Sequence, residues 1–380
     1  MDIMTWVWFF SGLVLLIVGA ESLVRGASVL AAAVGISPLV IGLTVVAFGT
    51  SAPELAVSVT SVYKGQAGIA LGNVLGSNIA NVLLILGLSA LAAPLLVSRR
   101  VVQREVPLMI GVSLVVPVVA FSGVITRLNG ILMFSGIVAY TAISIFWERS
   151  EQQEAPTVDT EPEPEPEPAK TPTGRSGSVG RIALQFVFIG VGLALLYLGS
   201  EWLVGSASTI ARHFGLSELV IGLTVVSVGT SLPELATSVV AALRGQREMA
   251  VGNIVGSNVF NILCVLGATA AVAPEGIRVP SSALYFDIPV MIAVAVACLP
   301  ITFTGHIIRR WEGCLFLAYY VAYTSYLILR DSEHDSLPMF SGVMFRFVIP
   351  LTVITLAILT YRHWRFKSRA ENDDRTQSNH

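Results

Sequence analysis

Long apolar blocks separated by short polar stretches run through most of this chain. Each block has around 20 residues, enough for a helix to cross the roughly 30 Å of hydrocarbon in a bilayer. The first block has no basic segment before it and apolar sequence follows at once, so we interpret it as a retained helix and not as a cleaved signal. The pattern predicts eleven membrane-spanning helices, at residues 5–24, 37–62, 69–93, 106–124, 130–147, 182–204, 217–243, 249–273, 284–304, 310–329 and 341–361.

The composition agrees with a membrane protein. Of the 380 residues, 54% are hydrophobic and only 13% are charged, with a mean hydropathy of +0.75. Because soluble domains carry about 25% charged residues, the water-soluble class is excluded. A net charge of -2 without a basic stripe argues against nucleic-acid binding. The three cysteines lie in apolar stretches and form no CxxC pair, so we predict neither a disulfide framework nor a zinc site.

An internal repeat relates the two halves of the chain. Residues 20–94 align without gaps with residues 200–274 at a constant offset of 180, and about 40 of these 75 positions are identical. The match implies two halves of one fold, each with five predicted spans. Because five is odd, the second half lies upside down relative to the first, as in many secondary transporters. The sequence therefore predicts an all-α membrane protein with two inverted repeats of five helices and an eleventh, C-terminal helix.

The polar stretches define the regions of the chain and its orientation. Residues 148–180 contain the run EPEPEPEP and predict a disordered or extended acidic linker. With the N-terminus outside the cell, 17 of the 23 lysines and arginines fall on the inner side, where positive residues are retained. We expect an inner-membrane protein whose linker is cytoplasmic, and whose tail is cytoplasmic if 341–361 spans the membrane. The predicted regions are the first repeat at 1–147, the linker at 148–180, the second repeat at 181–330, and an extra helix with a basic tail at 331–380.

The second span of each half contains an acidic motif, GTSAPE ending at Glu54 and GTSLPE ending at Glu234. An ionisable residue in mid-membrane costs about 2.5–3.5 kcal/mol on insertion scales and is normally functional. Pro53 and Pro233 lack an N–H, so the helix is predicted to kink or break beside each glutamate and to free nearby carbonyls. A carbonyl next to a carboxylate suits a hard cation.

The third span of each half carries a second motif, GNVLGSNIAN at residues 72–81 and GNIVGSNVFN at residues 252–261. The small-xxx-small spacing of its glycines lets two helix backbones approach closely. A serine and an asparagine four residues apart share one helical face, as do the threonine and glutamate of the first motif. The four pairs are Ser77 with Asn81, Ser257 with Asn261, Thr50 with Glu54, and Thr230 with Glu234. Oxygen donors without imidazole or thiolate favour Ca²⁺ or Na⁺ over zinc or copper.

The four motifs resemble the two alpha-repeats of the cation/calcium exchanger superfamily, and are most similar to prokaryotic sodium/calcium exchangers. The resemblance covers residues from about 5 to 329. It implies ten helices in two inverted halves, a midplane site with four ion positions, and Na⁺-driven Ca²⁺ transport by alternating access. By this resemblance Glu54 and Glu234 are the central ligands. The remaining metal ligands that it implies are Thr50, Thr230, Ser51, Ser231, Ser77, Ser257, Asn81 and Asn261, with the carbonyls of Ala47 and Ser227.

The chain departs from parts of the family pattern. Some members carry an aspartate where Asn261 stands, and in the potassium-dependent branch that acid is associated with K⁺ use. Its absence suggests K⁺ independence. The proton-coupled branch usually carries GNxxE where this chain has GTSAPE, so H⁺ coupling is less favoured. The transported ions Ca²⁺ and Na⁺ and the lipid bilayer are the expected partners, and we expect neither catalytic chemistry nor an organic cofactor.

Several alternatives stay open. An H⁺-coupled Ca²⁺ or Mn²⁺ exchanger on the same fold is the nearest rival function, and a cation channel is the next. Ligation, helix capping and helix–helix hydrogen bonding are all open for the asparagines at 73, 78, 253 and 258. Glu105 and Asp287 are expected to mark helix N-termini, because each acid stands two residues before a proline.

Overall fold

The protein is described by a computed structural model. It describes residues 3–32, 47–98, 100–154, 178–243, 245, 247–303, 307–333, 336–344, 346, 349 and 353. The beginning of the predicted span 37–62, the middle of the predicted linker, and most of the predicted helix 341–361 lie outside these residues.

The described part of the chain is almost entirely helical, and its elements repeat with the sequence. In several places the helix widens for one turn into a π-helix, at Asn81–Leu86, Val101–Glu105, Gly222–Val226, Asn261–Leu266 and Ala283–Asp287. The elements of the first half are α1 Ile3–Ala32, α2 Ala47–Thr50, α3 Ala52–Tyr63, α4 Ala67–Ala80, α5 Gly87–Ala92, β1 Leu95–Leu96, α6 Val106–Ala120, β2 Val124–Ile125 and α7 Arg127–Glu154. Those of the second half are α8 Ser178–Phe214, α9 Glu218–Ile221, α10 Ser227–Thr230, α11 Leu232–Leu243, α12 Arg247–Phe260, α13 Gly267–Val272, β3 Ile277–Arg278, α14 Ile288–Phe303, β4 Ile307–Ile308, α15 Arg310–Asp331 and α16 Leu337–Val343.

Many of these helices are long and apolar enough to cross a membrane. Within the described residues, helices that meet this criterion are Ala67–Ala92, Val101–Ala120, Leu184–Ile210, Ala250–Val272 and Arg310–Asp331. A bent pair, Glu218–Thr230 with Leu232–Leu243, makes a further span if the two pieces count as one. Shorter apolar helices are Ile3–Gly19 and Ala283–Leu299. The third helices of both halves are the most buried, since 83% of the apolar window is inside the protein in each.

Two short antiparallel strand pairs join the halves at points that the hydrophobic pattern did not predict. β1 of the first half pairs with β4 of the second, with Leu95 opposite Ile308. β2 of the first half pairs with β3 of the second, with Ile125 opposite Ile277. The first helices of the halves also pack on each other, and the rings of Trp8 on α1 and Trp202 on α8 lie 4.6 Å apart. The repeats are therefore interleaved and form one body.

The expectation that Glu105 and Asp287 mark helix N-termini is wrong. Residues before both acids are already helical, and Glu105 itself has helical backbone angles of φ -76° and ψ -43°. Each acid ends a π-helical turn inside a continuous helix and is buried, with 5% and 1% of its surface exposed. Tyr140 Oη donates to Glu105 Oε2 over 2.6 Å, and Tyr323 Oη donates to Asp287 Oδ1 over 2.9 Å. α7 and α15 thus each supply a hydroxyl group that donates to a buried carboxyl group.

Candidate functional site

Both acidic motifs lie at a break between two helices. In the second half, Glu218–Thr230 and Leu232–Leu243 meet at 46°, with Ser231 between them. Ser51 stands at the same place in the first half with nearly the same backbone angles, φ -83° and ψ 3° against φ -84° and ψ 7°. The proline two residues later causes the break, because its ring displaces the carbonyl four residues before it and it has no N–H to donate. The predicted break beside each glutamate is confirmed.

Glu54 and Glu234 lie in one buried cluster of side chains. Neither side chain has exposed surface. Ser231 Oγ donates to Glu54 Oε1 over 2.7 Å, and Ser51 Oγ donates to Glu234 Oε1 over 3.1 Å. Each carboxylate is therefore held by the serine at the helix break of the opposite half. Because each serine stands three residues before its own half's glutamate, these crossed hydrogen bonds bring the two acidic motifs together.

The carboxylates are not neutralised by basic groups. Among the described residues, no ion pair joins either glutamate to a lysine, arginine or histidine. Glu54 Oε2 and Glu234 Oε2 are buried and have no hydrogen-bond partner within that part of the chain. Buried carboxylate oxygens in native proteins are normally satisfied, and a cation satisfies them where no donor is present. The cluster therefore has the charge and the free oxygens that a hard cation requires.

The small residues of the third helix permit a very close helix contact. A Cβ atom added to Gly72 would lie 2.5 Å from the carbonyl oxygen of Leu219, and one added to Gly76 would lie 2.5 Å from that of Leu223. Both distances are far below van der Waals contact, so only glycine fits. The backbone of α4 therefore lies directly on the α9 region, as the small-xxx-small spacing predicted.

Two asparagines tie the halves together in an almost symmetric way. Asn73 Nδ2 donates to Ser58 Oγ over 3.0 Å and to the carbonyl oxygen of Glu54 over 3.2 Å, while Thr230 Oγ1 donates to Asn73 Oδ1 over 3.0 Å. The counterpart, Asn253, donates to the serine at 238 over 3.1 Å and accepts from the threonine at 50 over 3.5 Å. The amide groups of both asparagines are thus used in helix–helix contacts. Helix–helix hydrogen bonding, one of the roles left open for them, is thus observed for both.

A second asparagine pair is asymmetric. Asn81 Nδ2 donates to Asn258 Oδ1 over 3.0 Å, and Asn258 Nδ2 lies 3.3 Å from the sulfur of Met109. The equivalent bond between Asn261 and Asn78 is absent: both polar atoms of Asn261 and Oδ1 of Asn78 have no partner within the described chain. All four asparagines are buried. The oxygen of Asn81 and both atoms of Asn261 therefore remain available inside the protein.

The serines of the third helices differ in the same way. Ser77 Oγ donates to Glu54 Oε1 over 3.4 Å and accepts from Ser231 Oγ over 3.1 Å. Ser257 Oγ is buried and has no partner among the residues that the structure describes. Hydrogen bonding around the carboxylates is thus denser on the Glu54 side.

The two main-chain ligands expected from the family resemblance are already hydrogen-bonded. The carbonyl oxygen of Ala47 accepts from Ser51 N over 2.9 Å and from Thr50 Oγ1 over 3.3 Å. The carbonyl oxygen of Ser227 accepts from the backbone N–H of Ser231 over 3.0 Å and from the hydroxyl of Thr230 over 3.3 Å. A cation at either carbonyl would have to displace one of these donors. Ligation by both stays a prediction.

Sequence reasoning missed two serines that support the site, Ser58 and Ser238. Both side chains are fully buried and hydrogen-bond to the asparagine at position 73 or 253. Each stands four residues after a glutamate, on the same helical face, and both occur at the repeat offset of 180. That combination of spacing and repetition was the signal that could have identified them.

The described residues contain no group of three or more histidine, cysteine, aspartate or glutamate side chains that could hold a metal. Cys264 and Cys298 are buried, free thiols, and Cys314 is exposed. The candidate site is therefore built from two carboxylates with neutral hydroxyl and amide groups. This donor set suits hard cations such as Ca²⁺ and Na⁺.

Comparisons with known proteins agree with this chemistry. The family model described as sodium/calcium exchanger protein matches residues 4–146 and 184–329. The CaxA protein of Alkalimonas amylolytica is 41% identical over 315 residues, which cover 82% of this chain and 95% of that protein. The sodium/calcium exchanger MaX1 of Methanosarcina acetivorans is 33% identical, with 82% of this chain and 95% of that protein covered. The inner membrane protein YrbG of Escherichia coli is 37% identical over 76% of this chain and 86% of its own length.

The fold is also similar to solved structures. A structure of the sodium-calcium exchanger NCX_Mj, soaked with Na⁺ and no Ca²⁺, matches with a TM-score of 0.60 and 27% sequence identity. The match covers 86% of this chain and 99% of the other. The family model covers most of the chain and includes both acidic motifs. This chain belongs to the sodium/calcium exchanger family of membrane antiporters.

Proposed function

We propose that this protein exchanges Na⁺ for Ca²⁺ across the inner membrane and uses the Na⁺ gradient to move Ca²⁺ out of the cell. The observation that carries the proposal is the pair of fully buried carboxylates, Glu54 and Glu234, each with one free oxygen and no basic partner among the described residues. Such a centre is stable when bound cations or protons neutralise its two charges. The proposed ligands are Glu54, Glu234, Thr50, Thr230, Ser51, Ser231, Ser77, Ser257, Asn81, Asn261, and the carbonyls of Ala47 and Ser227.

The charge of the centre explains why the two ions would exchange. Two carboxylates neutralise one Ca²⁺ or two Na⁺, so either load satisfies the same oxygens. An empty centre leaves two charges unbalanced in a low dielectric, and moving it through the membrane interior is costly. Movement therefore requires a load, which couples the flux of one ion to the flux of the other. More than two Na⁺ per Ca²⁺ is the expectation that the family resemblance gives.

The proposed mechanism is alternating access by two inverted halves. Support comes from the repetition of elements: α4 and α12 have equal lengths, and the π-helical segments that follow them, Asn81–Leu86 and Asn261–Leu266, differ by the sequence offset of 180. We propose an outside N-terminus, a cytoplasmic linker at 148–180, and a C-terminal helix near 341–361 that returns the basic tail to the cytoplasm. An inner-membrane location agrees with the printed name of the relative YrbG.

Flux through the purified protein in liposomes tests the proposal. Ca²⁺ uptake is measured with Na⁺, K⁺ or H⁺ as the only opposing gradient. We expect uptake only with Na⁺, and we expect Glu54→Gln and Glu234→Gln to abolish it, because each amide keeps the shape of the side chain and removes one charge. Glu275→Gln is the matched control, because its side chain is 80% exposed in a surface ion pair. Normal uptake by either buried variant would disprove the assignment.

The same flux assay, repeated with each counter-ion, distinguishes the proposed exchanger from an H⁺-coupled exchanger and from a channel. Uptake driven by H⁺ and indifferent to Na⁺ would identify the H⁺-coupled exchanger, with the carboxylates as proton carriers. Downhill Ca²⁺ flux without any counter-ion would identify a channel. The same liposomes serve for all arms, so a protein that transports under none of them would be distinguished from one that prefers another counter-ion.

A further inference from the structure

A large cavity lies between α14, α15 and the chain after residue 340. Its volume is about 480 Å³, and it is lined by side chains of Pro289–Ala297 on α14, by Leu315–Tyr326 on α15, and by Ser341, Met344, Ile349 and Val353. Leu83, in the π-helical segment that begins at Asn81, also reaches it. The family match ends at residue 329, so one wall of the cavity lies outside the part of the chain that the family shares.

The cavity wall is apolar and aromatic. Among the described lining residues, the buried tyrosine is Tyr323, and its hydroxyl already donates to Asp287 over 2.9 Å. The other hydroxyl groups on the wall, those of Tyr285, Tyr319, Tyr326 and Ser341, belong to side chains that are partly or largely exposed, and the remaining lining side chains are apolar. The volume is within the roughly 300–1,000 Å³ of cavities that bury an organic ligand. The occupant that fits this wall is a hydrocarbon chain.

The position of the cavity identifies the source of that chain. α15 is long and apolar enough to cross the membrane, and α14 belongs to a shorter apolar helix. At the cavity edge, Tyr285 is 77% exposed and Val353 is 59% exposed. These apolar edges face the hydrocarbon of the bilayer in a membrane-spanning protein. A lipid tail can therefore enter the cavity sideways without crossing water.

A positive charge stands at the same place. The guanidinium carbon of Arg330 lies 5.7 Å from the centre of the Phe286 ring, and that ring lines the cavity. Arg330 is in the last turn of α15, where an arginine reaches the lipid headgroups. A phospholipid with its acyl chain in the cavity and its phosphate group near Arg330 matches both the apolar wall and the positive charge.

We propose that this cavity is a binding site for one anionic phospholipid, with an acyl chain in the cavity and the phosphate at Arg330. The site goes beyond the proposed ion exchange and does not depend on it. The bound lipid fills the space between α15 and Ser341, Met344, Ile349 and Val353, which lie beyond the family match.

Photochemical labelling tests the site with the full-length protein. The probe is phosphatidylglycerol with a diazirine on one acyl chain, added to the protein in detergent, and labelled peptides are mapped by mass spectrometry. We expect labelling of α14 and α15 peptides that saturates and is displaced by unlabelled phosphatidylglycerol. Ala293→Trp and Ala322→Trp fill the cavity from opposite walls, and each should lower this labelling by about tenfold or more. Leu132→Trp, at a position 61% exposed on α7, is the control and should leave it unchanged.

The contact between the lipid headgroup and Arg330 is tested separately. Arg330→Gln should weaken the binding of phosphatidylglycerol about fivefold and leave the binding of phosphatidylcholine unchanged. One basic residue near a membrane surface contributes about 1 kcal/mol to the binding of an anionic lipid, which corresponds to about fivefold in affinity. Labelling that does not saturate, or that persists in both tryptophan variants, would come only from non-specific contact with the surrounding lipid. Either result would disprove the binding site. Equal competition by phosphatidylcholine in the unaltered protein would overturn the anionic headgroup. The flux assay is not used, so failure here leaves the ion-exchange proposal untouched.

Discussion

The close backbone contact at Gly72 gives a quantitative prediction. Gly72 of α4 faces only main-chain atoms: an added Cβ would lie 2.5 Å from the oxygen of Leu219, 2.8 Å from the nitrogen of Leu223 and 2.9 Å from the Cα of Gly222. None of these atoms can rotate away as a side chain would. Gly72→Ala must therefore push two helices apart until the shortest distance reaches ordinary contact, which begins at 3.4 Å.

The cost of Gly72→Ala follows from that displacement. Overpacking of a well-packed interior costs typically about 1–3 kcal/mol of unfolding free energy. Replacing glycine by alanine inside a helix stabilises it by about 0.8–1.0 kcal/mol, and this partly hides the cost. Gly111→Ala removes the ambiguity, because Gly111 is in the interior of α6 and has nothing within 4 Å of its added Cβ. The difference between the two variants isolates the steric cost, which we expect to be about 1–3 kcal/mol.

Thermal unfolding in detergent and Ca²⁺ uptake in liposomes measure the two consequences. Gly72→Ala should unfold at a lower temperature than the unaltered protein, whereas Gly111→Ala should unfold at an equal or higher one. Uptake by Gly72→Ala should fall, because the neighbouring Asn73 holds the carbonyl of Glu54 over 3.2 Å. If the two variants unfold together and transport equally, the close approach is not a structural requirement and the geometry of this helix pair is wrong.

Three further substitutions test other parts of the site. Asn73→Ala removes the hydrogen bonds of three buried polar partners and should lower the unfolding free energy by about 2–5 kcal/mol. The control, Asn129→Ala at an exposed helix start, should lower it by about 1 kcal/mol. Equal losses of the two variants in chemical or thermal unfolding would contradict the hydrogen-bond network. Tyr140→Phe removes the hydroxyl that donates to the buried Glu105 and should cost about 1–3 kcal/mol in the same measurement, whereas Tyr63→Phe, at a position 66% exposed, should cost nothing. Asn261→Asp adds a third buried carboxylate, so Ca²⁺ uptake should become stimulated by K⁺, and uptake that stays K⁺-independent would remove the explanation given for the unaltered protein.

Much of the site could be predicted from the sequence because its motifs occur in both halves of the internal repeat. A single buried glutamate has several explanations, but Glu54 and Glu234 at equal positions of a repeat, each beside a proline, have few. The proline chemistry is local, so it predicted the helix break correctly. The glycine spacing at Gly72 and Gly76 was equally informative, because only a missing side chain permits contact with a neighbouring carbonyl.

Other features depend on contacts between distant residues and were not readable. Tyr140 lies 35 residues after Glu105, and nothing in the local sequence connects them. Without that partner, a proline two residues later made the acid look like a helix start. The strand pairs join residues such as Leu95 and Ile308, whose short segments have no strand-like alternation. The hydrogen bond of Asn73 likewise depends on the position of Thr230 in the opposite half.

The described centre carries two formal negative charges, and this number sets its electrical behaviour. A load of one Ca²⁺, or of two Na⁺, makes the moving centre neutral, and the voltage across the membrane then does no work on it. A third Na⁺ leaves one positive charge, on which roughly 2.3 kcal/mol acts for every 100 mV. Electrical current during exchange would consequently count the sodium ions without any isotope measurement, and the cell's resting voltage would become a second source of energy for clearing calcium.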